Sequence, residues 1–315
     1  MAHAISFLTS LTAVLLKPTV GPIVAHNLTF LLGLWIGAMG MFLLIREMTQ
    51  RTSAAFIAGF VFALTPYHMT KFVSHTHLGS IHWWPFFALF LHRSLRDRRI
   101  RDALCAGVFA ALTVWSGFQL AVLLALWSIP YVIWQLVKTD ASRVRTLATI
   151  GLIGIVGLVL SAPLIIPVVK IWPQLESGAT GRSESIIKQT DLLSYLVPAR
   201  RHTLLRSYVD NVYHRFIANK GASAYLGYTV IGLAVLSVVG RREGAWFWVV
   251  TTLVWVALAA GSMLRVNGTL YPQVPMPYRL VEHLPLITTI RAPDRLNLLT
   301  AFSLAISAGM GAAFV

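Results

Sequence analysis

The sequence predicts an all-α, polytopic integral membrane protein with roughly nine or ten transmembrane or re-entrant helices. Three observations predict it. Of 315 residues, 57% are hydrophobic and only 12% charged, whereas an average soluble domain carries about 25% charged residues. The apolar residues gather in long runs, and the mean hydropathy is +0.71, so lipid rather than water is the natural solvent. Short basic stretches fall at every second junction between the runs, the lysine and arginine bias that marks cytoplasmic loops.

The runs lie in order at Ala4–Leu16, Pro22–Ile45, Ser53–Pro66, Ser80–His92, Ala103–Trp115, Phe118–Val137, Thr146–Val169, Ser223–Gly240, Ala245–Met263 and Leu296–Val315. A helix needs about 20 residues to cross a bilayer. Pro22–Ile45, Thr146–Val169 and the last three meet or approach that length, while shorter runs suggest tilted, interfacial or broken helices. Met1 to Leu16 lacks the basic start and small-residue cleavage site of a signal peptide and reads as a short helix. The last run ends without a flanking charge, so the natural chain is expected to be longer. The whole, 1–315, is expected to form one transmembrane domain, shortened at both ends.

Arg46 and Arg51, then Arg93, Arg96, Arg98, Arg99 and Arg101, then Lys138, Arg143 and Arg145, then Arg241 and Arg242 form the basic junctions. With these inside, each intervening run crosses once. The outer face then receives Pro66–Gly79, the turn at Ser116 and Gly117, and two extracytoplasmic loops, 170–222 and 264–295. A net charge of +15 then reflects cytoplasmic loops beside anionic headgroups rather than nucleic acid, for which no motif is present. Cys105, the single cysteine, reads as a small core residue. There is no clear internal repeat.

Chemistry is expected on the outer face, where three stretches stand out. Pro66 to Pro85 holds His68, His75, His77 and His82 with no acidic residue nearby. These are read as a polar lining for phosphate or sugar hydroxyls, or as packing at helix ends with Trp83 and Trp84 anchoring at the interface. No metal-ligand pattern of the required spacing occurs, so no clear set of ligands for a divalent metal emerges. The 170–222 loop carries eight basic and four acidic residues, a net +4, which suits an anionic headgroup or a lipid-linked phosphate. Within it, Thr190–Pro198 reads as a short helix with Thr190 as cap and Asp191 in its first turn. In the third stretch, Arg291 and Arg295 bracket Pro293 and Asp294 at a helix start, either as a phosphate clamp or as headgroup-seeking arginines beside a capping aspartate. Asn27-Leu-Thr29 and Asn267-Gly-Thr269 match the glycosylation sequon, a pattern too common to weigh.

The run AAFIAGFVFALTPYHMTKFVSHTHLGSIHWWPFFALFLHRSLRDRR (54–99), then DLLSYLVPARRH (191–202) and LPLITTIRAPDRLNLL (284–299), resembles bacterial membrane proteins of the GT-C glycosyltransferase superfamily, including YfhO-type proteins and those with a lipopolysaccharide-core-transferase-like membrane domain. The resemblance runs from about Pro22 to the C-terminus. It implies a multi-pass protein of the cell (inner) membrane that moves a sugar from a polyprenyl-phosphate-linked donor to a glycan, lipid or protein acceptor. It also implies an acidic general base or metal partner in the first outer loop. This sequence departs there, because no acid precedes Glu47 and Glu47 lies beside arginines on the cytoplasmic side. Asp191 and Glu282 are the remaining candidates for the catalytic carboxylate. His75, His77, Lys188, Arg200, Arg291 and Arg295 are the candidates for the donor-phosphate pocket. The alternatives are a transporter or flippase of lipid-linked or anionic substrates, and a non-catalytic envelope protein.

Overall fold

A computed structural model describes residues 7–138, 143–175, 188–198, 205–216, 224–240, 243–290 and 292–315. The chain is mostly helical, and each of the ten apolar runs has become a helix. These are α1 (Phe7–Val20), α2 (Pro22–Thr49), α3 (Thr52–Leu64), α6 (Trp84–Asp97), α7 (Ile100–Ser116), α8 (Phe118–Lys138), α9 (Arg143–Leu175), α11 (Tyr228–Val239), α12 (Ala245–Ala259) and α15 (Asn297–Ala312). Shorter helices fill the intervals, namely α4 (Pro66–Ser74), α5 (Thr76–Gly79), α10 (Arg206–Tyr213), α13 (Tyr278–Val281) and α14 (Pro285–Thr288). Three helices, Pro22–Thr49, Phe118–Lys138 and Arg143–Pro167, are long and apolar enough to cross a membrane. The pair Thr52–Leu64 and Pro66–Val73, bent by 44°, makes a fourth if it acts as one span. Pro66 causes the break, since its ring disfavours helical geometry in the preceding residue and its nitrogen has no proton to give.

The chain groups into two compact units, one of Met1–Gly59 with His75–Ala179 and one of Phe60–Ser74 with Thr180–Val315. In the first, α2 opens with Pro22 at its first position and closes on Gln50 in the left-handed region at φ 57°, whose amide returns to the Arg46 carbonyl. Its buried stripe, Ala25, Thr29, Gly33, Gly37 and Gly40, repeats small residues at helical spacing, the pattern that lets apolar helices approach closely. At Gly40 a side chain would strike Phe86 of α6. Phe86 and Phe90 stack on Phe109 of α7 at 5.0 and 5.5 Å. At the far end of α2, Glu47 accepts hydrogen bonds from both Arg93 and Arg96. Trp84 is fully buried, and the half-buried Trp83 donates its indole N–H to Ser116 at 3.1 Å. Trp84 thus packs in the core of this unit.

The second unit is built around α15, whose every residue from Asn297 to Ala312 is buried. A helix without a polar face must be surrounded, and α15 packs against α11, α12 and α4. Gly311 lets the α11 backbone come so near that an added Cβ would collide with the Leu233 carbonyl. The 264–295 loop adds a small hairpin to the mostly helical chain. Strands β1 (Met263–Val266) and β2 (Thr269–Pro275) pair antiparallel, with Val266 opposite Thr269 and an irregularity between Met263 and Leu264. The two-residue connection Asn267-Gly268 has positive φ at both positions, 53° and 82°, as a type I′ turn demands.

Candidate functional site

In the second unit three sequence stretches far apart in the chain meet in one buried polar network. From α4, Lys71 Nζ donates to Asp294 Oδ2 at 3.0 Å, and the Tyr67 hydroxyl donates to the same oxygen at 3.1 Å. The Lys71 and Asp294 side chains are only 10% and 11% exposed, and the ammonium also lies 5.1 Å from the centre of the Tyr67 ring. Asp294 belongs to a 3-10 turn, Pro293–Leu296, that runs directly into α15. No side-chain cap forms at this helix start, so the capping role considered for Asp294 is replaced by the ion pair.

One turn further along, Asn297 joins the second stretch. Its Oδ1 accepts the Tyr195 hydroxyl at 2.7 Å and its Nδ2 donates to Thr190 Oγ1 at 2.8 Å. The Asp294 amide donates to the Lys188 carbonyl at 3.3 Å. Tyr195, 4% exposed, has its hydroxyl pKa pushed up by burial, with Asp294 adding to the rise while Thr190 and Asn297 oppose it.

Asp191 closes a second clasp beside this network. Its Oδ1 accepts the amides of Leu193 at 2.9 Å and Asn267 at 3.0 Å, and its Oδ2 accepts the Gly268 amide at 2.6 Å. It is the cap of a 3-10 helix, Leu192–Tyr195, where the sequence suggested Thr190. Burial lowers the Arg265 guanidinium from its ordinary range and the Asp191 carboxylate opposes that shift. Three backbone donors on one carboxylate tie the hairpin turn to the 188–195 segment. That geometry gives Asp191 a structural task.

Lys188 meets this segment through its backbone carbonyl, which accepts the Asp294 amide, and both Lys188 and Arg295 are half-buried. Arg295 donates to the Ile290 carbonyl at 3.0 Å and acts electrostatically on the Tyr67 hydroxyl. Glu282, at the end of α13, lies 3.6 Å from the largely exposed His283 ring. His75 and His77 sit in the first unit, with ring centres 6.0 Å apart. The His75 carbonyl starts α5 by accepting the Leu78 amide at 2.7 Å. Arg200 and Arg291 lie outside the described residues. His68 is buried, its Nδ1 3.1 Å from the Phe62 carbonyl and its ring between Phe62 and Phe72. Among the described residues no group of three or more histidine, cysteine or acidic side chains is arranged to hold a metal ion.

The residues that sequence reasoning passed over are Tyr67, Lys71, Tyr195 and Asn297, and Thr190 was read only as a cap. A signal for one of them was present. Lys71 follows an apolar run directly, and an ionisable residue beside such a run is a functional candidate with a partner to be found. The histidines on either side drew attention away from it. The others are polar residues of ordinary type, and only their meeting distinguishes them.

No curated protein and no solved structure matches the chain. The sequence profile of a family described as a domain of unknown function, DUF6311, matches residues 9–313. With nearly its whole length covered by that match, the chain belongs to the DUF6311 family.

Proposed function

We propose that this DUF6311 chain is the membrane core of a GT-C-like glycosyltransferase. It takes a sugar from a polyprenyl-phosphate-linked donor and passes it to a glycan, lipid or protein acceptor on the outer face of the cell membrane. In this reading the ten apolar helices are nine or ten transmembrane or re-entrant segments, and the basic junctions face the cytoplasm. One observation supports it above the others. The three stretches that carry the resemblance contribute Tyr67 and Lys71, then Tyr195, then Asp294 and Asn297 to one buried network. Their shared order in sequence thus has a shared place in space. In this reading Lys188 and Arg295 are the basic residues that offset the charge gathering on a departing phosphate. Donor-binding roles for His75, His77, Arg200 and Arg291 rest in this reading on the sequence alone.

The test is conversion of donor. Full-length protein in liposomes with host envelope acceptors and a panel of polyprenyl-phosphate 14C-sugars should yield labelled glycoconjugate. Failure to consume any donor in the panel overturns the reading. A second reading, a transporter or flippase of lipid-linked or anionic substrates, draws on a different observation. Lys71 lies buried in the bent helix pair and is neutralised by Asp294, and ionisable residues in such places often mark substrate paths. Under that reading the same liposomes equilibrate a fluorescent polyprenyl phosphate between leaflets without consuming it.

A further inference from the structure

Neither Asp191 nor Glu282 has the surroundings of a working base. Both oxygens of Asp191 accept backbone amides, and Glu282 faces an exposed imidazole. Asp294 differs in three respects. It is held on one side only, since both Lys71 and Tyr67 donate to Oδ2. No hydrogen bond to its Oδ1 is found among the described residues, and its side chain is 11% exposed. The next residue in sequence is Arg295, and the Asp294 amide donates to the backbone carbonyl of Lys188.

We propose that Asp294 is the catalytic base that seats and deprotonates the acceptor hydroxyl, with Lys71 and Tyr67 as its positioning residues. The proposal rests on the transferase reading and deepens it. One oxygen fixed by two donors leaves the other pointing in a set direction, the pre-organisation that general-base catalysis needs. Lys71 has three N–H donors and its bond to Asp294 uses one. A hydroxyl arriving at this edge donates to Oδ1 and accepts from the ammonium, a recognition pattern suited to a sugar or lipid alcohol. In the reaction, the acceptor oxygen bonds to the anomeric carbon. The bond from that carbon to the phosphate oxygen breaks, and its electron pair leaves on the polyprenyl phosphate. The hydroxyl proton passes to Asp294 Oδ1 and is then lost to water. Lys188 and Arg295 offset the charge on the leaving phosphate.

The experiment compares wild type with Asp294→Asn in the liposome transfer assay, with donor affinity read separately by binding of the same 14C-labelled donors. A general base contributes about 100-fold or more to rate, so Asp294→Asn should bind donor as wild type does and lose transfer by about that factor. A loss of less than tenfold overturns the proposal. Because Asp294→Asn strands a buried ammonium, the double variant Lys71→Met with Asp294→Asn is assayed beside it. It removes both charges, should fold, and should be equally inactive; transfer by the double variant above a tenth of wild type overturns the proposal. Lys71→Arg should restore part of the rate lost in Lys71→Met, which a purely structural lysine in a tight site would not do; no restoration removes Lys71 from its positioning role. If wild type itself consumes no donor, the transferase reading falls and the base falls with it. If wild type transfers and Asp294→Asn does too, only the base falls.

Discussion

Breaking the Lys71–Asp294 pair from one side should cost far more than removing it from both. The two charged atoms are 3.0 Å apart with side chains about nine-tenths covered. At an effective dielectric constant of about 20, two unit charges at that separation attract by roughly 5 to 6 kcal/mol. Much of this offsets the loss of hydration on burial, so the pair's net contribution to stability is small, while an orphaned partner carries its desolvation uncompensated. Single removal of one member of a buried pair typically costs about 3–5 kcal/mol. Lys71→Met and Asp294→Asn should each destabilise the second unit by about that amount, and the double variant should lie within about 1 kcal/mol of wild type. Asp294→Asn keeps an acceptor for Tyr67, so its cost should come from the ammonium alone. The assay is reversible denaturant unfolding of all four proteins in detergent micelles, treated as a double-mutant cycle. Additive single effects, or single variants within about 1 kcal/mol of wild type, would refute the description of these groups as a coupled buried pair.

Three further perturbations test other features. Gly268→Ala places a side chain at φ 82° against the Arg215 carbonyl, and should cost about 2 kcal/mol or more of stability, measured in the same unfolding assay. Tyr195→Phe leaves Asn297 Oδ1 without its donor and should cost about 1–3 kcal/mol at neutral pH. Because burial raises the folded-state pKa of this hydroxyl above its ordinary value near 10, its contribution is fully present below about pH 10 and is lost as pH rises further. Wild type should therefore lose more stability than Tyr195→Phe between about pH 9 and 11, and parallel curves would contradict the assignment. Finally, in a Cys105→Ser background, Arg98→Cys should react with an impermeant maleimide only from the cytoplasmic side and Tyr271→Cys only from the outer side, both positions being exposed. Labelling of both from one side would invert or abolish the proposed orientation.

The helices were readable because each rests on a run of apolar residues, a local property that survives without knowledge of its neighbours. Their ends were readable within a few residues where Pro22, Gly117 or Gly240 punctuates the chain. The hairpin was also written locally, in Asn267-Gly268, yet that dipeptide was taken for part of a glycosylation sequon and its turn-forming meaning was passed over. The site was different in kind. Tyr67 and Asp294 are separated by 227 positions and Tyr195 and Asn297 by 102, and nothing in either neighbourhood names the other. Arg295 and Lys188 were singled out because basic residues at an outer boundary suggest an anion whatever their partners. Asp294 was seen and given the wrong task, since an aspartate at a helix start is usually a cap and only the fold reveals a lysine waiting behind it. Of the clustered histidines, His68 turns out to be a packing residue, held by a carbonyl and two rings.

The Asp191 clasp has a mechanical corollary. With one carboxylate gripping Leu193 on its own side and Asn267 and Gly268 on the other, the hairpin tip cannot lift away unless several charge-assisted bonds break together. The 3-10 helix and the hairpin therefore travel as one plate. A probe attached at the outward Tyr271 would register displacements that begin at Thr190, and a ligand that nudges either edge would be felt at both.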